Sequence, residues 1–114
     1  MIEATVISYL GTQTGIPTYA ERPKKPEAEY LIVERTGSGE ENLIQRVTIT
    51  VQSYADSLLR AAEINKLVET AMKGITTLED ISQCKLNSSY NYTDTESKKY
   101  RYQAVFNLVF MEGE

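Results

Sequence analysis

The sequence predicts an α+β fold: a short N-terminal helix, a mostly antiparallel β-sheet of four to five strands, and one long amphipathic helix packed on one face of the sheet. Apolar residues repeat with a period of about 3.6 over positions 56–73, and with a period of two over 43–53 and 100–111. The 114 residues are 41% hydrophobic and 25% charged, as in ordinary globular proteins. We therefore expect one domain over residues 1–114.

The N-terminal region combines a helix with a proline-containing strap. The helix presents one apolar face, formed by Ile2, Val6 and Leu10. Gly11 is predicted to end it. The stretch 12–29 is rich in Gly, Thr and Pro and contains all three prolines. We expect it to cover the sheet edge as an extended strap with a brief edge strand at 17–20.

Two β-rich runs, 30–35 and 43–53, predict a hairpin. The connector between them consists of Thr36, Gly37, Ser38, Gly39, Glu40, Glu41 and Asn42. It is longer and more flexible than a two-residue turn, so we expect it to project from the sheet as a loop. Because projecting loops commonly carry contacts, it is the leading candidate for an interaction surface.

The long helix is predicted at about 56–73. Asp56 or Ser57 is suited to cap its start, and Gly74 is suited to end it in a left-handed conformation. Its apolar stripe consists of Leu58, Ala61, Ile64, Val68, Ala71 and Met72.

Two strands are predicted after this helix. The first, at about 84–93, places Leu86, Tyr90 and Tyr92 on one face. The second, at about 100–111, alternates Tyr102, Ala104, Phe106, Leu108 and Phe110 with a partly apolar second set. That second face keeps Val105, Val109 and Met111, so we expect the N-terminal helix or another subunit to cover it.

Composition and charge exclude several function classes. A net charge of −4 argues against attraction to phosphates by bulk charge. There is neither an apolar run of about 20 residues nor a basic, apolar leader, which predicts a cytosolic protein without a membrane partner. With one cysteine and no histidine, we expect no metal, no cofactor and no enzymatic activity, and we expect Cys84 to be a packing residue.

Several motifs invite chemical interpretations that the sequence favours less than structural ones. The stretch Thr36–Gly39 lacks the lysine and the following helix of a phosphate-binding loop. The neighbouring acids Glu40–Glu41 need not converge as an acid/base pair, since nothing marks a cleft. The eight tyrosines suit either a protein interface or core and cross-strand packing. The basic clusters are Arg22, Lys24, Lys25 and the pair Lys98–Lys99, which would contact DNA if subunits formed a ring.

Several segments together resemble a known family. They are Ile16-Pro17-Thr18-Tyr19 with Glu21-Arg22-Pro23, the run from Tyr30 to Gly39, Val51-Gln52-Ser53-Tyr54-Ala55 before an Ala-rich helix, and Tyr90-Asn91-Tyr92-Thr93-Asp94 followed by Tyr100-Arg101-Tyr102-Gln103. From about position 6 to 110 the chain is similar to the small tail terminator, or tail completion, proteins of long-tailed bacteriophages and prophages. It also resembles the related minor head-tail joining proteins.

The resemblance implies a structural virion protein of the tail or neck, assembled in the bacterial cytoplasm. Such a subunit assembles with copies of itself into a hexameric ring on the last ring of tail tube protein. The ring stops polymerisation and presents the surface for head-tail connector or neck proteins, with DNA only passing through. The matching contact residues are those of the 36–42 connector, together with Tyr92, Asp94, Lys98 and Lys99. A head completion (neck) protein and a general cytosolic protein-binding module are the alternatives.

Overall fold

The computed structural model describes residues 1–41, 44–97 and 99–111. In chain order its elements are α1 (Ile2–Thr14), β1 (Thr18–Tyr19), β2 (Tyr30–Glu41), β3 (Ile44–Ala55), α2 (Leu58–Lys73), β4 (Ile81–Asn91) and β5 (Tyr100–Met111), with a 3₁₀ turn at Ile75–Thr77. The five strands form one sheet in the order β1-β2-β3-β5-β4. All pairs are antiparallel except β1 with β2. The predicted α+β fold is confirmed.

The core lies between the two helices and one face of the sheet, called here the covered face. Alternate residues of β3 and β5 project to this face, as their period of two predicts. The covered-face residues of these strands include Val47, Ile49, Val51, Ala104, Phe106 and Leu108. They pack with the buried residues of both helices, Val6, Leu10, Ala61, Ile64, Val68 and Met72. This hydrophobic layer holds most of the buried residues, while Tyr30, Ile32 and Thr50 are buried on the opposite face of the sheet.

Helix α1 is longer than predicted. It continues through Gly11 and ends at Thr14, because a single glycine is tolerated inside a helix that packs well. Gly15 provides the stop: its φ of 71° is left-handed, and its N–H donates to the Gly11 carbonyl at 3.0 Å. The apolar face of α1 is buried as predicted.

The prediction of a projecting loop at 36–42 is wrong for residues 36–41, which belong to a strand. Strand β2 runs to Glu41 and pairs with β3 from Tyr30↔Tyr54 to Glu41↔Ile44. A β-bulge between Arg35 and Gly37 adds one residue to β2, and the ladder then resumes. The glycines are accommodated because cross-strand pairing with β3 fixes their backbone. Asn42 lies outside the described residues.

Helix α2 starts as predicted and ends differently. The Ser57 hydroxyl accepts the Arg60 backbone N–H at 3.1 Å and caps the first turn. Gly74 has φ −92° and ψ 0°, so the predicted left-handed end is wrong. The chain turns directly into the 3₁₀ segment and needs no reversal there. Leu58 is exposed, whereas Asn65 is buried on the packed face.

Strand β4 begins earlier than predicted and does not keep one register. Bulges interrupt its pairing with β5 between Ile81 and Gln83 and between Leu86 and Ser88. Leu86 therefore pairs with Phe106 on the covered face, while Tyr90 pairs with Gln103 on the opposite face. The prediction that Leu86, Tyr90 and Tyr92 share a face is wrong, because each bulge moves the following side chains to the other side. Strand β5 and its alternation are confirmed.

The second face of the sheet, called here the open face, is not covered by α1. This helix packs against α2 and beside β1 and β2, on the covered side. The part of the prediction that places α1 over Val105, Val109 and Met111 is wrong: Val105 and Val109 are half-buried and Met111 is exposed. No helix in the described chain is long and apolar enough to cross a membrane.

Candidate functional site: the open face and the two ends of the sheet

The two predicted contact segments lie at opposite ends of the sheet. Strand β2 runs toward its connection with β3, and β4 runs in the opposite direction toward its connection with β5. Residues 36–41 therefore mark one end, and residues 92–99 mark the other. The molecule is elongated, with extents of 44 × 25 × 23 Å, as expected for strands of eleven or twelve residues. The fold separates these two segments instead of joining them into one site.

The 36–41 end is ordered by cross-strand contacts. The Thr36 and Thr50 hydroxyls lie 3.1 Å apart, and a side chain at Gly37 would meet the Thr48 side chain at 3.5 Å. Ser38 and Gly39 pair with Val47 and Arg46. Beside them on the open face, Ile44 pairs with Met111, and both are exposed. This end therefore presents a strand that is paired with β3 and a small apolar patch.

The 92–99 end is a compact polar turn. The Asp94 carboxylate accepts the Glu96 backbone N–H at 3.0 Å and the Ser97 hydroxyl at 2.9 Å. These hydrogen bonds lower the pKa of Asp94, and the one from the Ser97 hydroxyl has the largest effect. Asp94 also forms a β-bridge with Lys99. The Asp94 carboxylate is already engaged within the turn. Tyr92 and Lys99 are therefore the better candidates for contacts with another protein. Lys98 lies outside the described residues.

A row of aromatic side chains crosses the open face from β1 to the end of β4. It consists of the rings of Tyr19, Tyr30, Tyr54, Tyr92 and Tyr90, with the Arg101 guanidinium between the rings of Tyr54 and Tyr92. The rings of Tyr30 and Tyr54 stack at 4.6 Å with an 8° interplanar angle. The Arg101 guanidinium lies 5.7 Å from the Tyr54 ring centroid and 4.4 Å from that of Tyr92. We call this set the tyrosine row.

Hydrogen bonds hold the exposed half of the row in place. Arg101 donates to the Tyr54 hydroxyl at 2.9 Å and to the Tyr92 carbonyl at 2.6 Å. Gln52 donates to Gln103 at 2.9 Å, and Gln103 donates to the Tyr90 hydroxyl. Tyr90 and Tyr92 nevertheless remain 41% and 44% exposed. The row is a preorganised surface with two accessible rings at one end.

The strap covers the other half of the row. The Tyr19 hydroxyl donates to Glu27 at 2.7 Å, which raises the pKa of Tyr19 and lowers that of Glu27. Tyr30 is 3% exposed, and no described residue lies within hydrogen-bonding geometry of its hydroxyl. Burial raises the pKa of Tyr30, and the nearby Arg22 opposes that rise. Pro26 and Ala28 line a cleft of about 350 Å³ together with Tyr30 and Tyr54.

Both long edges of the sheet carry backbone groups that no strand of the described chain pairs. β1 pairs with β2 only at Leu31 and Ile32, where the Pro17 carbonyl also accepts the Leu31 N–H at 2.8 Å. Beyond Ile32 the outer side of β2 has no further strand among the described residues. β4 is the other end of the strand order. The two edges run antiparallel to each other, which follows from the three antiparallel pairs between them.

The described residues hold little that suggests chemistry. They include no group of three or more Cys, Asp or Glu that could bind a metal. Burial raises the pKa of the Cys84 thiol to about 11, which leaves almost no thiolate at neutral pH. The Ser89 hydroxyl donates to Glu69 at 3.0 Å, and Asn65 donates to both. This trio joins α2 to β4, and its serine lacks an imidazole base.

The tyrosine row is the feature that sequence reasoning missed. The tyrosines were visible as a composition bias, but their order depends on the register of four strand pairs and on the bulge between Leu86 and Ser88. Alternation in β5 indicated that Arg101 faces away from Phe106; nothing local indicated that Tyr54 and Tyr92 flank it. A comparison with protein-family models gives no match for this chain, and no curated protein matches its sequence.

Proposed function

We propose that the protein caps the end of a long bacteriophage tail tube as a homo-oligomeric ring, six-membered by the resemblance. The ring stops further polymerisation of the tube protein and forms the surface to which the head, through its connector or neck proteins, is joined. In this proposal the protein belongs to the virion and is assembled in the host cytoplasm. DNA passes through the ring.

The observation that supports this proposal best is the pair of unpaired sheet edges. An exposed edge offers a row of backbone donors and acceptors to another strand. A ring needs heterologous contacts, in which one surface of a subunit meets a different surface of the next. The outer sides of β2 beyond Ile32 and of β4 are two such surfaces on opposite sides of one subunit. Because they run antiparallel, β4 of one copy is suited to pair with β2 of the next without inversion of the subunit.

The two ends of the sheet support the same proposal. A tube cap must contact the tube on one side and the head-tail joining proteins on the other. The 36–41 strand end and the 92–99 turn lie at opposite ends of a molecule 44 Å long. The exposed pair Ile44 and Met111 adds apolar surface beside the first of them.

Co-sedimentation with purified tail tubes, combined with light scattering of the free protein, tests the proposal. We expect the protein to bind tubes at a ratio of one ring per tube and to limit tube length during polymerisation. A protein that neither self-associates nor binds tubes contradicts the proposal. A monomer that binds tubes agrees with it, since the tube itself can serve as the template for the ring.

A matched pair of leucine substitutions tests the edge contact. Leu86 on β4 is 46% exposed and Leu59 on the outer surface of α2 is 73% exposed. Leu86→Glu places a charge at the β4 edge, so it should abolish tube binding. Leu59→Glu adds the same charge to the helical layer and should leave binding unchanged. If both variants bind tubes like the original chain, the β4 edge is not the ring contact.

A further inference from the structure

Three strands of the open face carry only basic charges, in a chain that is acidic overall. The full sequence has 16 Asp and Glu residues against 12 Lys and Arg residues. Yet β3, β4 and β5 contain no acidic residue at all. Their three cations are Arg46, Lys85 and Arg101. Each pairs across the ladder with an open-face residue, namely Val109, Asn107 and Tyr54. All three cations therefore project to the open face, away from α1 and α2.

Two of these cations are available to a ligand. Arg46 and Lys85 are exposed, and neither forms an ion pair within the described part of the chain. Arg101 is already held by Tyr54 and Tyr92 and presents its guanidinium plane between their rings. Local charge matters more than net charge here, because salt screens charges beyond about 10 Å at 0.1 M.

The cations and the tyrosine row form one continuous surface. From Arg101 to Val109, the partner of Arg46, β5 advances eight residues, or about 27 Å. The two exposed rings, Tyr90 and Tyr92, lie at one end of this length, and Lys85 and Arg46 lie toward the other end, opposite Asn107 and Val109. The amides of Gln52 and Gln103 lie beside the rings and offer hydrogen bonds.

We propose that the open face binds single-stranded nucleic acid. The phosphates would contact Arg46 and Lys85, and one or two bases would stack on Tyr90 and Tyr92. Charge complementarity selects a polyanion, and the aromatic rings and amides select planar bases over the carboxylates of an acidic protein segment. A length of about 27 Å suits a short site, at the lower end of the roughly 4–16 nucleotides that single sheet-based domains contact. Tube capping is not required for this binding.

Local acids limit the affinity. Glu34 lies on the open face of β2, opposite Thr50, and Asp94 lies near Arg101. Both reduce the positive potential, so we expect binding that is strong only at low salt. Base stacking should then contribute a large share of the discrimination between single strands and duplex, since a duplex hides its base faces.

Fluorescence anisotropy with a labelled oligothymidine of about 20 nucleotides tests this proposal. We expect binding that weakens as salt rises from about 50 to 200 mM. The double variant Tyr90→Leu/Tyr92→Leu should lower the affinity roughly tenfold or more and leave the salt slope unchanged. Arg46→Gln/Lys85→Gln should reduce the salt slope by about 1.4, or 0.7 for each contact.

The control removes two cations from the other side of the molecule. Lys66→Gln/Lys73→Gln, on the exposed side of α2, should leave both the affinity and the slope unchanged. The proposal is overturned if no binding is seen at low salt, or if this control loses as much affinity as Arg46→Gln/Lys85→Gln. It is also overturned if a duplex or a polyglutamate peptide binds at least as tightly as the single strand. Tube binding measured on the same variants separates a failure of this site from a failure of the proposed cap.

Discussion

Two adjacent positions on β5 test the one-sided layering on which the site depends. Leu108 projects to the covered face and is 1% exposed, whereas Val109 projects to the open face and is half-buried. Leu108→Ala removes a fully packed side chain and leaves a cavity, so it should lower the free energy of unfolding by about 3–5 kcal/mol. Val109→Ala removes two methyl groups that are already partly in water, so it should cost only about 1 kcal/mol.

Urea unfolding followed by circular dichroism measures this difference. For an m-value of about 1.5 kcal/mol/M, Leu108→Ala should lower the midpoint by about 2–3 M, and Val109→Ala by less than about 1 M. The m-value itself should not change, because the folded layer remains the same. If Val109→Ala costs as much as Leu108→Ala in the isolated chain, the open face is packed and the account of this surface is wrong.

Three further predictions concern the N-terminal cap of α2, the ion pair between the strap and α2, and the Cys84 thiol. Ser57→Ala should lower the free energy of unfolding by about 1 kcal/mol in urea, whereas Ser57→Asp should retain the cap; equal losses would show that the Ser57–Arg60 hydrogen bond does not matter. The hydrogen bond from Arg60 lowers the pKa of Glu29 from its ordinary 4.5. The contribution of ionised Glu29 to the free energy of unfolding is therefore complete above about pH 4.5 and is lost as pH falls through the lowered pKa. The stability gap between the original chain and Glu29→Gln should therefore close in acid, and a gap that persists at about pH 2 contradicts this. A Cys84 pKa raised from 9.0 to about 11 implies about 100-fold less thiolate at pH 8, so a thiol reagent should react about 100-fold more slowly with the folded chain than in urea; comparable rates would place the thiol in water.

Periodicity was sufficient for the elements whose burial is one-sided. The alternation in β5 and the apolar stripe of α2 predicted both elements. Each element buries one face, so its apolar residues recur with the period of a strand or of a helix. The Ser57 cap followed from local chemistry. These parts of the fold depend on residues close in sequence.

The errors arose where pairing with a distant segment overrides local preference. Gly37 and Gly39 indicated a loop, but the ladder with β3 holds them in a strand. Gly11 indicated a helix end, but α1 continues to Thr14 and stops at Gly15, whose φ is left-handed. The bulge after Leu86 has no local signature, and it places Tyr90 on the opposite face from Leu86. The tyrosine row could not be predicted because it needs the register of all five strands.

The central claim, that the chain caps a tail tube, is tested most directly by negative-stain imaging of tubes polymerised with and without the protein. The account predicts added density at one end of each tube, with tube length limited by the protein concentration, and loss of both effects with Leu86→Glu but not with Leu59→Glu. Tubes of unchanged length with bare ends at saturating protein would contradict it.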